Sequence, residues 1–530
     1  MQSKDTELKA AAASDELTGQ VPVVAFLKDP RSYFDGPTKV RVQETHSAIV
    51  FLTGAYAYKL KKAVKFSFLD FTTLDRRRHS CEEELRLNSR FAPELYLEVL
   101  PISRSEQGLH FGAGGEIVDY VVKMRQFDDH SLFDDLAADG ALEKTWLLQI
   151  TDVIARFHLN AESTPDFWGP DYVRSSFSKN FETCRLFVPE VFESSALAAV
   201  EQQTFELFEL RKELIRARQL THVRELHGDL HLRNMCVFEG KAMLFDGIDF
   251  NPQLSHCDVF ADFAFFVMDL LVRRRASDAA LVWNRYLQET DDFSGLRLLP
   301  LYVSYRAGVR AMVSCLELAS AHTDGERRDL VAEGREYLEL ALRSSTATST
   351  TVVAVGGLAG SGKSTVSSLL AQELGFVHIR SDAVRKHLCG IALSEHAPKT
   401  AYSAEQTKAT YSGLLDRARL ALEAGYGVII DAVYHSEEER RRVEELAAEL
   451  KVPFVGLWCT LPVEIAKQRV RARRGDISDA DESVVSLQET YSLGEIQWQR
   501  IDTSVDEAAS LAAALEQLEQ LRIETRKPRS

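Results

Sequence analysis

Short-range cysteine pairing is absent from this 530-residue chain. The seven cysteines (Cys81, Cys184, Cys236, Cys257, Cys315, Cys389 and Cys459) are odd in number, scattered, and never spaced as C-x-x-C. That excludes a disulfide framework or a cysteine zinc site as the organising device and suits a reducing cytoplasm, where we expect the protein to work. Long hydrophobic runs are missing too. The longest, Ala261 to Val272, is broken by Asp262 and Asp269, so no membrane-spanning segment is expected. The first twenty residues, MQSKDTELKAAAASDELTGQ, lack the apolar centre of a secretory signal. Positive charge is in deficit: 63 Lys and Arg against 79 Asp and Glu leave a net −16. Such a molecule repels polyanions at long range, and no basic run interleaved with aromatics offsets this, so tracking of long nucleic acid is not expected. A nucleic-acid 5′ end or a nucleotide stays open. No repeat of fixed period and no low-complexity block is present.

What is present fits a globular protein of two to four domains, at about 150 residues each, with 45% apolar and 27% charged residues. Gly357-Leu-Ala-Gly360-Ser361-Gly362-Lys363-Ser364-Thr365 matches G-x-x-x-x-G-K-[ST] without a mismatch. It follows an apolar strand pattern, Thr351 to Gly356. A helical pattern comes next, with Val366, Leu369, Leu370 and Leu374 on one face. The glycines let backbone N–H groups wrap a polyphosphate, Lys363 reaches the terminal phosphates, and Ser364 offers a hydroxyl to Mg²⁺. ATP and Mg²⁺ are the expected cofactors.

The polar, uncharged stretch Ser344-Ser-Thr-Ala-Thr-Ser-Thr350 reads as a linker. The chain then divides into a tail (1–20), a first domain (21–343), the linker (344–350) and a P-loop domain (351–530). In the first domain, residues 46–54 and 55–66 read as strands around Thr53-Gly54. A helix follows from Arg76 to Phe91, with an extended stretch at 94–102 and a strand at 117–126. Helices are expected at 146–158 and 197–219 and onward to Arg343, which gives a β-rich front half and a helical back half.

The densest chemistry of the first domain is His227-Gly-Asp229-Leu-His-Leu-Arg-Asn234, followed by a strand ending Met243-Leu-Phe-Asp246-Gly-Ile-Asp249-Phe250. His-Gly-Asp alone would serve as a polar turn. Asn234 at five residues' distance and the later Asp246 resemble the aminoglycoside and choline phosphotransferase branch of the kinase-like fold. The resemblance implies a bilobal α+β domain with Asp229 as base toward an acceptor hydroxyl, Asn234 and Asp246 on the metal, and Asp249 as a second candidate ligand. Phosphoryl transfer needs just these groups: a carboxylate for the attacking hydroxyl and oxygen ligands for Mg²⁺. His227 is expected to buttress the loop. Asp258 and Asp262 resemble the family's aspartates that tie the loop down, with a helix cap as the plainer alternative. The fold also implies a strand lysine paired with a helix glutamate. Lys59 and Lys61 share a strand face, and Glu84 lies on the helix face of Cys81, Leu85 and Asn88; we assign Lys59 with Glu84. A G-x-G-x-x-G loop is absent.

In the P-loop domain, Phe376–Arg380 reads as a strand with Ser381-Asp382-Ala-Val-Arg385 at its carboxyl end, where open α/β sheets bind ligands. Gly427-Val-Ile-Ile-Asp431 is another strand ending in a carboxylate, followed by Arg440, and Gln468–Asp479 is arginine-rich. These features resemble P-loop kinases of the polynucleotide kinase, gluconate kinase and zeta-toxin type (an AAA-type α/β fold, parallel sheet, helices on both faces). The resemblance implies Asp382 as acceptor base, Arg385 and Arg440 on substrate, Asp431 in the Mg²⁺ shell, and Arg469 and Arg473 in a lid. The order of motifs across the chain resembles a bacterial fusion of these two families. It implies a bifunctional kinase acting on small-molecule hydroxyls. A P-loop kinase governed by a non-catalytic sensor, an ATPase-driven stress-response protein and a 5′-end kinase remain as alternatives. Oligomeric state is not legible.

Overall fold

In the computed structural model, residues 19–45, 47–66, 69–344, 350–473 and 475–520 are described. Most of the expected tail and linker therefore lies outside the described residues, as does Arg474 of the arginine-rich stretch. Contacts divide the chain into two compact units. The first holds the residues up to Val153 with Phe157–Gly169 and Arg218–Asp262; the second holds Ile154–Arg156, Pro170–Ala217 and everything from Phe263 onward. This grouping does not follow the division expected at 344–350.

The first unit opens with helix α1 (Val21–Lys28). An antiparallel sheet follows: β1 (Arg41–Glu44), β2 (Ala48–Leu52), β3 (Tyr56–Lys61), then, after helix α2 (Leu74–Asn88), β4 (Tyr96–Ser105), β5 (Gly108–Phe111) and β6 (Glu116–Arg125). Their spatial order is β1-β2-β3-β6-β4-β5. Alternation along β3 sends Tyr58 and Leu60 into a core with Val23, Leu27, Phe51 and Val121, which leaves Lys59 and Lys61 for the opposite face. Helix α2 lies on that face. Thr73 caps it by accepting from Arg76 N, Asp75 sits in its first turn, and its buried side is Arg77, Ser80, Cys81, Glu84, Leu87 and Asn88.

After helix α3 (Lys144–Asn160) come β7 (Val223–Glu225), the hairpin β8 (Met235–Phe238) and β9 (Lys241–Leu244), and β10 (His256–Asp258), which pairs with β7. The His227–Asn234 loop joins β7 to β8. Gln20 is buried at the root of the unit: its amide donates to Lys61 O at 3.0 Å and Asp119 Oδ2 at 2.7 Å.

The second unit contains α4 (Pro170–Arg185), α5 (Ser194–His222, up to Ala217), α6 (Val259–Val272, from Phe263), α7 (Ala276–Thr290), α8 (Leu299–Glu317) and α9 (Asp324–Ser344). Its sheet consists of β11 (Val352–Gly356), β12 (Val377–Arg380), β13 (Val428–Asp431), β14 (Phe454–Thr460) and β15 (Gln499–Asp502), all parallel, in the order β12-β13-β11-β14-β15. Helices α10 (Lys363–Leu374), α11 (Ser381–Leu388), α12 (Ala404–Glu423), α13 (Glu437–Leu450), α14 (Val463–Ala472), α15 (Glu482–Gln488) and α16 (Glu507–Gln520) connect and follow these strands. On one face Val353, Val355, Ile429, Val455 and Leu457 pack with Val366 and Leu370 of α10 and Ala514 and Leu518 of α16. Leu369 is only half buried. Strand β15 and helix α16, absent from the sequence reading, complete that core.

Mid-strand Gly456 of β14 is required by a close approach: a Cβ there would stand 2.3 Å from the Trp498 indole, whose Nε1 donates to Glu444. Gly456→Ala is therefore expected to destabilise the second unit by roughly 1–3 kcal/mol. A lowered urea midpoint followed by tryptophan fluorescence would show it, and an unchanged midpoint would contradict the packing described.

Candidate functional sites

In the first unit Lys59 Nζ lies 2.8 Å from Glu84 Oε1 and 2.5 Å from Asp246 Oδ1. The sequence assignment of Lys59 to Glu84 is incomplete, because Lys61 shares the carboxylate at 2.6 Å from Oε2. Glu84 is fully buried. Burial pushes its carboxyl up, but Lys59 and Lys61 outweigh this and hold it down at about 2.

Asp246 takes a backbone φ of +61°, rare for a residue with a side chain. Its N–H donates to Tyr96 Oη at 3.0 Å and the next N–H, of Gly247, donates to Asn88 Oδ1 at 2.9 Å. These bonds fix the turn that presents the Asp246 carboxylate, which is 49% exposed. Tyr96 and Asn88 were not singled out in sequence; Asn88 could have been, since it shares Glu84's helix face. Asp249, carried as a second metal candidate, differs from Asp246. It is buried and bound to Lys61 Nζ at 2.9 Å and Ser80 Oγ at 2.7 Å, so its oxygens serve a structural ion pair rather than an open site.

Asp229 and Asn234 meet as the motif spacing implied. Asn234 Nδ2 donates to Asp229 O at 2.9 Å and Oδ2 at 3.0 Å, and His231 Nε2 lies 3.1 Å from the same Oδ2. His227 is buried, and burial lowers its pKa below the usual 6.5 despite nearby Asp262 and Asp229. The neutral ring can accept from Asp229 N–H at Nδ1 (3.3 Å) while Nε2–H donates to Phe245 O (2.9 Å). Asp262 accepts from the N–H groups of His227 (3.2 Å) and Gly228 (2.9 Å) and meets His158 Nε2 at 3.3 Å. Asp258 takes Arg218 in a two-pronged pair at 2.8 and 3.0 Å. Asp262 thus braces the loop directly, while Asp258 ties β10 to Arg218 of α5. Beside β6, Arg41, Gly54, Gln126, Phe127, Asp128, Asp129 and His130 line a cavity of about 340 Å³.

In the second unit the P-loop links β11 to α10. Gly357, Gly360 and Gly362 have positive φ, and a Cβ at Gly360 would meet Ala466 O at 2.7 Å. Gly362 caps α10 without a side-chain bond, so the first-turn N–H groups, with Lys363, Ser364 and Thr365, form an anion cradle. The loop is braced from behind: Thr503 Oγ1 donates to Ser361 O at 2.6 Å and Gln488 Oε1 accepts from Ala359 N at 2.6 Å.

Asp431 ends β13 beside this cradle. His378 Nε2 lies 3.5 Å and Arg380 Nε 3.8 Å from its Oδ2, while Oδ1 is buried without a hydrogen-bond partner among the described residues. Burial pushes this carboxyl up; His378, Lys363 and Arg380 together bring it down to about 2. Register pairs Arg380 with Asp431, so Arg380, Ser381 and Asp382 emerge at the same sheet edge. Arg380 was passed over in sequence as a strand end, although a cation next to Asp382 was a visible signal.

The arginines depart from expectation. Arg440 is buried and donates to Tyr434 O, Leu493 O and Glu495 O at 2.7–3.2 Å, which ties the chain after β13 to the segment before β15. Arg385 is buried, donates to Ala401 O at 2.7 Å, and stacks on Tyr402. The Arg440 guanidinium is thus spent on backbone carbonyls, whereas Arg385 shares Nη1 between Ala401 O and Thr407 Oγ1 and keeps a buried Nε without a hydrogen-bond partner among the described residues. Arg469 lies at the P-loop, donating to Thr503 O at 2.6 Å, with Nη1 3.1 Å from where a Gly362 Cβ would be. Arg473 lies outside the helix that carries Arg469. Helix α14 ends at Ala472, and Arg473 turns to Asp476 at 3.4 Å.

Residues 352–491 match the family model described as an AAA domain. An uncharacterized protein of Mycobacterium tuberculosis is 29% identical over 485 residues, covering 90% of this chain and 94% of that protein. A gluconokinase from Sinorhizobium meliloti resembles 33% of this chain and 95% of its own, at 22% identity and TM-score 0.25. A choline/ethanolamine kinase family protein from Mesorhizobium loti covers 62% of this chain and 99% of its own, at 11% identity and TM-score 0.36. The front of the chain thus combines a strand–helix ion pair, a polar loop and a hairpin, in one polypeptide with a P-loop domain that has a parallel sheet and matches the AAA model over 352–491.

The Glu84 cluster sets a pH test. A carboxyl held at about 2 in the fold, against an ordinary 4.5, contributes stability fully above pH 4.5 and loses it as pH falls through 2. Glu84→Gln is expected to cost about 3–5 kcal/mol at pH 7, since two buried lysines lose a charge partner. In urea titrations from pH 7 to 2, the gap to wild type should close below about pH 4.5; a gap independent of pH would refute it.

Proposed function

We propose that this chain is a bifunctional ATP-dependent kinase that transfers the γ-phosphoryl group of ATP to hydroxyl groups of small molecules. Transfer occurs at two separate sites, one in a domain spanning 21–343 and one in a domain spanning 351–530. The observation that supports this most directly is that each unit sets a lysine against one carboxylate and carries a second carboxylate in a neighbouring loop or at a neighbouring strand end. In the first unit these are Lys59 with Asp229 and Asp246. In the second they are Lys363 with Asp382 and Asp431.

At the first site Asp229, kept in place by Asn234 and His227, orients the acceptor hydroxyl and takes its proton as the phosphoryl group arrives. Lys59, steadied by Glu84, holds ATP phosphate oxygens, and the cavity beside Gln126 and Phe127 receives the nucleotide base. At the second site the backbone N–H groups of 357–365 and Lys363 hold the triphosphate, Arg469 neutralises charge at the transferring group, and Asp382 takes the acceptor proton. Mg²⁺ suits both sites: Asn234 and half-exposed Asp246 in one, Ser364 and the unpartnered Oδ1 of Asp431 in the other. When bound it offsets phosphate charge that protein cations alone leave unbalanced. The setting we infer is the cytoplasm, since all seven cysteines are free thiols.

Labelled ATP, with a panel of sugars, aminoglycosides, amino alcohols, nucleosides and 5′-hydroxyl oligonucleotides, tests this reading on wild type, Asp229→Ala and Lys363→Ala. Each substitution is expected to lower one transfer at least a hundredfold and leave the other intact. If Asp229→Ala alters no transfer, the kinase-like domain is a sensor for a single P-loop kinase. If neither lowers any transfer, the kinase reading fails.

A further inference from the structure

Strand β12 is the edge of the parallel sheet in the second unit, and it leads directly into Ser381-Asp382. An edge strand leaves N–H and C=O groups without a neighbouring strand. Here a side-chain amide from helix α7 takes that neighbour's place. Asn284 Nδ2 donates to Phe376 O at 2.9 Å, and His378 N donates to Asn284 Oδ1 at 2.7 Å. Nδ2 also donates to Ala280 O at 3.0 Å, so the amide is anchored to its own helix, and the side chain is buried. Only an amide supplies donor and acceptor at this spacing, because aspartate lacks the donor and leucine lacks both.

Neighbouring residues reinforce the contact. His387 of α11, the helix bearing Asp382, shares a 2.7 Å hydrogen bond with Gln288 O at the end of α7. Arg417 of α12 donates through Nε to Asp291 Oδ1 at 2.6 Å, just past α7. The Trp283 ring meets Tyr426 edge to face at 6.0 Å.

We propose that helix α7, acting through Asn284 and Gln288, is a positioning element for the P-loop acceptor site. It holds β12 and α11 so that Asp382 stays in register with Asp431 and the phosphate cradle. The proposal rests on the reading of Asp382 as the acceptor-facing carboxylate. Asn284 is a positioning residue, since it touches neither nucleotide nor acceptor. Its consequence is that the P-loop segment from 351 onward is incomplete as a kinase, because residues 60 to 75 positions before its first strand brace its acceptor side.

The test uses the full chain as wild type, Asn284→Leu and His387→Phe. Hydrogen exchange of peptides covering 376–388 is compared with that of β11 and α10, alongside Mg·ADP affinity and the KM and kcat of the Lys363-dependent transfer. Asn284→Leu is expected to speed exchange at 376–380 at least tenfold and to raise acceptor KM about tenfold, with Mg·ADP affinity within twofold of wild type. His387→Phe, which keeps a ring but loses the bond to Gln288 O, should speed exchange at 381–388 and raise acceptor KM by a smaller factor. Unchanged exchange at 376–388, or a fall in Mg·ADP affinity matching the rise in KM, overturns the proposal. A wild type without Lys363-dependent transfer overturns the kinase reading and the role of Asp382 with it. The exchange arm then reports on the strand contact alone, so the two failures are distinguishable.

Discussion

Charges packed this tightly must be kept from collapsing on one another or being smothered by water, and the front of this chain is arranged around that constraint. Glu84 is out of solvent between Lys59 and Lys61, an arrangement that is stable only because both amines face one carboxylate. From it follow the face of β3 that carries the lysines, the helix face that carries Glu84, and the burial of Asp249 beside Lys61. Asp246, by contrast, remains half exposed. Two lysines of one strand thus pair with carboxylates of different exposure, Lys61 with buried Asp249 and Lys59 with half-exposed Asp246.

The second unit meets the same requirement with backbone. Gly357, Gly360 and Gly362 turn N–H groups inward, and the positive end of α10 takes the role that a buried lysine pair has in the first unit. Asp431 is held ionised by His378, Lys363 and Arg380, against the cost of its own burial. The two halves share no strand order, yet each sets a low-pKa carboxylate within the reach of a cation.

Legibility in sequence followed the locality of the physics. Asp229 with Asn234, the P-loop and the carboxylate ending β13 are fixed by spacing within one loop or at one strand end, so residue types alone revealed them. Lys59 with Glu84 was implied by the family resemblance and selected by strand alternation and helix periodicity, which could not show that Lys61 shares the carboxylate. What was not legible depends on partners far away in the chain. Arg440 carries charge that invites assignment to a substrate, yet its partners are backbone carbonyls, which leave no mark in residue type. Asn284 reaches Phe376 and His378 across 92 and 94 positions and looks in sequence like any polar residue of a helix. Helix α14 stops one residue before Arg473, an end that residue type does not announce.

Asp262 has a consequence for the energetics of binding. One carboxylate, out of water, gathers two successive loop N–H groups and a histidine ring, and through His227 it reaches the backbone of Asp229. The conformational entropy of the 227–234 loop is therefore lost when the chain folds and not when a ligand arrives. For the acceptor proposed above, the carboxylate is then in place before binding, so binding energy would go into selectivity rather than into ordering the loop.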